Sequence, residues 1–190
     1  MLWLLLILAG AVLLWAAWTF NRLVGLRNRL RAAWGDVDAL LVRRADLIPN
    51  LVAAVRGYAS HEERTLTEVT DARADATRAG GGPEAPQARA EAENRLTVRV
   101  HQLLALVEAY PELLASANFL ELQAELTATE NDIASGRRYY NAVIRDYNTE
   151  RERFPALLIA GLLGFQPGEY FELTDLAERD APDVGARREP

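Results

Sequence analysis

The chain has 190 residues and a formal net charge of −6 with the two signs evenly mixed, so it lacks the basic face that nucleic-acid binding requires. It contains no cysteine, which excludes a disulfide framework, a thiol nucleophile and a thiolate metal site together. Lysine is also absent and alanine abundant, a pattern we read as coding bias and not as a binding signature.

The first predicted element is a membrane anchor over residues 1–20. Met1 to Phe20 carry no charged side chain, and an apolar run of about 20 residues in a helix spans the ~30 Å hydrocarbon core of a bilayer. Trp3, Trp15 and Trp18 lie near its ends, where indole rings favour the interface. A cleaved secretory signal fits less well. No basic residue precedes Leu2, the run is long for a signal, and the small residues Ala9-Gly10-Ala11 sit inside it. Directly behind it come Arg22, Arg27, Arg29 and Arg31, a basic collar suited to anionic headgroups. Because basic residues resist translocation, the collar predicts a short external N-terminus and a cytoplasmic remainder.

Past the anchor, apolar residues return every three or four positions, the helical spacing that buries one face. Leu23, Leu26, Leu30, Ala33, Val37, Leu40 and Leu47 form the first seam, with Arg44 on one of its positions. A second seam runs from Val55 through Ala59, Glu62, Leu66, Val69 and Arg73 to Ala76, and a third from Leu96 to Tyr110. The fourth, from Phe119 to Tyr147, includes Thr129, Gly136 and Tyr140. No stretch alternates with period two. The predicted fold is therefore all-α: an N-terminal transmembrane helix, then an elongated antiparallel bundle of long helices over residues 21–165.

Punctuation sets the predicted corners. Gly80-Gly81-Gly82-Pro83 breaks one helix, and Pro86 suits the first turn of the next, where its missing donor costs nothing. Tyr110-Pro111 marks a short turn, Ser116 to Asn118 a corner, and Phe154-Pro155 a stop. Pro49 is expected to bend or break the first helix. Leu157 to Phe165 is apolar but too short to span a bilayer, which leaves capping the bundle or dipping into the membrane interface. Residues 166–190 read as an acidic, partly disordered tail.

Several spaced blocks carry a resemblance. Leu26-Arg27-Asn28, Ala33-Trp34, the run from Arg43 to Val52, Gly57-Tyr58-Ala59 and His61-Glu62 resemble the LemA family in order and spacing. So do Glu108 to Leu113, Asn118-Phe119, Leu122-Gln123, Thr129 to Ala134, Arg137 to Asn141 and Tyr147-Asn148. The resemblance implies a bacterial single-pass inner-membrane protein with an elongated helical domain and no established catalytic activity. Some relatives in that family are associated with membrane-bound proteases, envelope stress or the shaping of internal membranes. Signature positions carried over are Arg43, Arg44, Asp46, Pro49, Asn50, Tyr58, His61, Glu62, Tyr110, Pro111, Asn118, Glu130, Asn131, Arg137, Tyr140, Asn141, Tyr147 and Asn148. The chain departs from the pattern at Phe20, Ala45 and Gly136.

The polar signature residues have physical readings of their own. Arg43, Arg44 and Asp46 precede a proline, and guanidinium groups suit a carboxylate or the carbonyls that Pro49 leaves unpaired. Arg44 on a seam needs an acidic partner, for which Glu130 is the candidate. Asn50 and Asn118 fit cap or turn roles, while Asn131 and Asn141 fit an internal network with Tyr140 or Tyr147. A polar pocket for a small ligand is the sharper alternative. His61-Glu62-Glu63 lacks the second His of a zinc-protease helix, His101 stands alone, and neither Ser60 nor Ser116 has a nucleophile-elbow context.

The residues therefore point to no metal, no cofactor and no enzymatic centre. The leading expectation is a membrane-anchored interaction protein that contacts lipid and holds another membrane or envelope protein, a membrane protease among the options. The alternatives are a homo-oligomeric, membrane-shaping scaffold and, a distant third, a hydrolase or metal enzyme.

Overall fold

A computed structural model describes residues 1–59, 61–83 and 85–173. Ser60, Glu84 and residues 174–190, which include most of the predicted tail, lie outside the described residues. The described residues form six helices and no strand: α1 (Leu2–Arg56), α2 (Glu63–Arg78), α3 (Pro86–Val107), α4 (Pro111–Leu114), α5 (Ala117–Glu152) and α6 (Ala156–Leu162). At 1.5 Å per residue, the 55-residue α1 is ~80 Å long.

The bundle runs up-down-up-down. On α1 and α5 the numbering runs in opposite senses, with Arg22 beside Glu150, Arg44 beside Glu130 and Arg43 beside Glu125. Helix α3 runs parallel to α1, pairing Arg89 with Asp38 and Glu93 with Arg44. Gly136 brings α5 close to α1. A Cβ there would lie 3.3 Å from Leu40 Cδ1 and 3.4 Å from Val37 Cγ2.

Two apolar cores result. One joins Ile48 to Val55 of α1 with α2, α3, Leu113 and the start of α5. The other joins Leu23 to Leu41 of α1 with Ala90, the second half of α5, Ala160, Phe165 and Phe171. Each fully buried Leu or Ile contributes on the order of 2 kcal/mol through removal from water. Between the cores, at the level of Arg44, lies a layer of buried charge.

Two sequence expectations are refined here. Of the bend or break expected at Pro49, the break does not occur, and α1 continues through it. The proline leaves the Ala45 carbonyl without its intrahelical donor, and Arg73 Nε of α2 donates to that oxygen at 2.7 Å. The second seam is not one helix: α1 ends at Arg56 and α2 begins at Glu63. At the start of the predicted tail, residues 165–173 lie as an extended strap along α5 with Phe171 fully buried; Asp180 to Pro190, the part expected to be mobile, lies outside the described residues.

Pro86 opens α3 and Pro111 opens α4, each where its absent donor is harmless. The apolar stretch after Phe154 divides its residues between two environments. Ala156, Ala160 and Phe165 face the bundle, while Leu157, Leu158, Leu162 and Leu163 are exposed.

Candidate functional site

Arg44 is the largest fully buried side chain of the bundle. Its Nη1 donates to Glu130 Oε1 at 2.9 Å, to Glu130 Oε2 at 3.2 Å and to Thr97 Oγ1 at 3.1 Å. Its Nη2 donates to Glu93, a partner that sequence reasoning missed. Glu93 is as buried as Arg44, whereas the Glu130 side chain is 40% exposed. Burial is the largest single influence on Arg44 and opposes its charge, but Glu130 and Glu93 together outweigh it and hold the guanidinium above its ordinary value.

Glu93 also faces a second buried cation. Arg89 Nε lies 2.9 Å from Glu93 Oε1, close enough for an ion pair but not aligned as a hydrogen bond. Arg89 Nη2 reaches Asp38 on α1 at 3.5 Å. The layer thus links α1, α3 and α5 through alternating charges. Such a layer fixes register: sliding any one helix by a turn strands a buried ion.

The second polar array lies on α5. Asn141 Nδ2 donates to the Phe171 carbonyl at 3.1 Å, and its Oδ1 accepts from the Phe171 amide at 3.0 Å. Asn148 repeats this pairing on Gly168, at 2.9 and 2.8 Å. Seven residues of helix advance ~10 Å, and three residues of extended chain advance ~10 Å, so the two asparagines match the strap's period. Tyr147 OH donates to the Gln166 carbonyl at 2.8 Å, Arg151 Nε to Phe165 at 2.8 Å, and Arg137 to Leu173. A Cβ on Gly168 would lie 3.2 Å from Leu30 Cδ1, so a glycine permits this close seat.

The strap therefore occupies the side-chain amides of Asn141 and Asn148. Tyr140 is fully buried; its ring lies 5.3 Å from that of Trp34, and its hydroxyl approaches the Glu169 carbonyl at 3.4 Å. Trp34 also packs edge-on against Phe171 and donates from Nε1 to the Gly81 carbonyl at 3.0 Å. Burial raises the Tyr147 phenol above its ordinary value, with Arg151 and Arg27 pulling weakly the other way. A groove of about 450 Å³ opens beside this residue, lined by Arg27, Arg31, Pro83 and the start of the strap.

The remaining signature residues are not gathered into one site. Asn131 is exposed on α5 and takes no place in the internal array. Asn50 is exposed inside α1, two turns before its end, and so caps nothing; Asn118 is exposed in the first turn of α5, behind Ser116. Neither Arg43, Arg44 nor Asp46 serves the carbonyl freed by Pro49, because Arg73 does. Arg43 instead meets Glu125 at 3.3 Å, and Asp46 lies 3.8 Å from Arg73. Tyr58 and His61 are exposed in the α1–α2 turn, and Glu62 precedes α2. Half-buried Tyr110 and exposed Pro111 form the α3–α4 junction. Among the described residues, no three His, Asp or Glu side chains cluster as metal ligands.

The basic collar is partly absorbed into the protein. Arg22 pairs with the buried Glu150 at 2.9 Å and lies over the Trp18 ring at 5.3 Å. Arg27 lies over the Phe165 ring at 5.2 Å, while Arg29 and Arg31 are exposed. Within α1, the leading segment is almost wholly exposed, and it is long and apolar enough to cross a membrane.

A family model described as "LemA family" matches residues 33–185. Among curated proteins, the chain is 25% identical over 175 residues to magnetosome protein MamQ 2 of Paramagnetospirillum magneticum, covering 80% of this chain and 64% of that protein. It is 26% identical over 174 residues to magnetosome protein MamQ of Magnetospirillum gryphiswaldense, with the same two coverages. It is 22% identical over 160 residues to protein LemA of Metamycoplasma hominis, covering 84% and 72%. The chain thus spans 64% of the length of the magnetosome proteins it resembles.

Proposed function

Because this chain belongs to the LemA family, we propose that it is a membrane-anchored interaction protein, held by the start of α1, whose bundle binds another membrane or envelope protein at the cytoplasmic surface. The observation that carries this reading is the exposure of the leading segment. Leu4, Leu8, Leu13 and Leu14 are 71, 61, 70 and 75% exposed, although a water-soluble bundle would bury such residues. The collar supports the cytoplasmic side for the bundle. Val42, Leu120 and Tyr139 are large side chains exposed on α1 and α5, suited to a partner's apolar surface. The reading assigns the protein binding and no bond-making.

The test is extraction followed by crosslinking in native membranes. The full-length protein should stay with the membrane under alkaline carbonate and yield chiefly a heterotypic crosslink; release by carbonate refutes the anchor. A second reading, a homo-oligomeric scaffold that shapes a membrane, draws on the relatives named as magnetosome proteins. It predicts a homotypic ladder in the same experiment.

A further inference from the structure

Helix α6 is short, yet five large apolar side chains on and beside it face outward. Phe154 is 75% exposed, Leu158 62% and Leu162 85%, with Leu157 and Leu163 close to half exposed. Ala156 and Ala160 point the other way, into the bundle. A capping element would bury its leucines and expose its alanines. Helix α6 does the reverse.

Its position in the fold identifies what covers that face. The helix packs on both α1 and α5. Phe165, just behind it, stacks edge-on against Phe20, the last residue of the apolar leading segment, with ring centroids 6.0 Å apart, and also contacts Arg27. Thr19 is 1% exposed although Trp18 and Phe20 on either side of it are exposed, so the folded domain reaches back to the final turn of that segment. Glu150, two residues before the end of α5, meets Arg22 at 2.9 Å. From Phe20 to Arg27 the helix advances ~10 Å, comparable with the headgroup layer on one side of a bilayer.

We propose that α6 is a second membrane contact: Phe154, Leu157, Leu158, Leu162 and Leu163 enter the acyl–headgroup boundary beside α1. The inference rests on the reading of α1 as the membrane span and adds a site to it. The occupant is lipid, because α6 packs on α1 and Phe165 behind it meets Phe20, which sets the exposed apolar face at the level where the leading segment leaves the bilayer. Amphipathic helices lying in the interface bury their apolar face by 5–10 Å, a reach that suits a seven-residue helix lying flat. With α6 embedded, the bundle is held at two points and its tilt against the membrane is fixed.

The native chain has no cysteine, so a single introduced one can carry a nitroxide label uniquely. The full chain is reconstituted in vesicles of phosphatidylethanolamine with a minority of phosphatidylglycerol, with labels on Leu158→Cys, Leu162→Cys, Leu8→Cys and Glu121→Cys. Leu8 reports on the leading segment and Glu121 on the far end of α5. The expected result is that labels at 158 and 162 collide with oxygen and are shielded from a water-soluble nickel chelate, as at position 8, while position 121 shows the reverse. If 158 and 162 behave like 121 while 8 stays in lipid, the α6 contact is refuted and the anchor stands. Water exposure at 8 refutes both. Shielding at 162 with spin–spin broadening between labelled copies means that a second copy covers the face, which also overturns the proposal.

Discussion

Arg73 of α2 supplies the hydrogen bond that Ala45 of α1 lacks, its Nε standing 2.7 Å from the carbonyl that Pro49 leaves without an amide donor. A proline inside a helix forfeits one bond and crowds the preceding turn, at a cost of ~3 kcal/mol relative to alanine in an isolated helix. Here a neighbouring helix offsets part of that cost and α1 runs on.

The relationship predicts a coupled pair of substitutions. Arg73→Met is expected to destabilise the bundle by about 1–2 kcal/mol, chiefly by leaving the Ala45 carbonyl unsatisfied. Pro49→Ala restores an amide four residues on, so in that background Arg73→Met should cost about 1 kcal/mol less. Urea unfolding of the four proteins in a double-mutant cycle measures the coupling; equal costs in both backgrounds would refute it.

The charged layer predicts an order among its acids. Glu93→Gln leaves Arg44 and Arg89 facing a neutral amide inside the protein, and should cost about 3 kcal/mol or more. Glu130→Gln, at a partly exposed side chain, should cost about 1 kcal/mol or less. Exchanging the charges of Arg44 and Glu130 should not restore stability, because the introduced glutamate would face Glu93. Thermal midpoints of these variants give the ranking directly.

Asn148→Ala and Asn141→Ala each remove both bonds that hold one residue of the strap. Each should cost about 1–2 kcal/mol locally and speed amide hydrogen exchange over residues 166–173 while leaving α1 and α3 protected. Uniform acceleration across the bundle would mean that the strap is not a separable unit.

Tyr147 predicts a loss of stability in alkali. Its folded-state phenol lies above the ordinary value of about 10, so the folded state holds the proton more tightly than the unfolded chain does. That contribution is fully present below the unfolded value and is lost as pH rises through the folded one. Ionisation would also remove the donor to the Gln166 carbonyl. The urea midpoint of the native protein should therefore fall more steeply above pH ~10 than that of Tyr147→Phe.

Much of this architecture is legible in the sequence. The three-and-four spacing places Leu23, Leu30, Val37, Leu126, Ile133 and Tyr147 in the core, and the Gly80 and Ser116 corners fall between helices. Arg44 and its pairing with Glu130 follow from one charge interrupting an apolar seam. Glu93 was open to the same logic, since the spacing that joins Leu96 to Val100 reaches Glu93 and Arg89 when run backward. The strap was not, because Asn141 and Asn148 bind backbone atoms, and backbone leaves no signature in composition. Continuity through Pro49 depends on Arg73, whose approach exists only once α2 has folded back.

The continuity of α1, braced at Pro49 by Arg73, has a mechanical consequence. Because helix runs from Leu2 to Arg56, a twist applied about the axis at Trp18 is passed toward Val55, beneath the far core, through the turn at Pro49. Leading segment and bundle share one shaft, so torque on either end reaches the other through the turn that Arg73 braces.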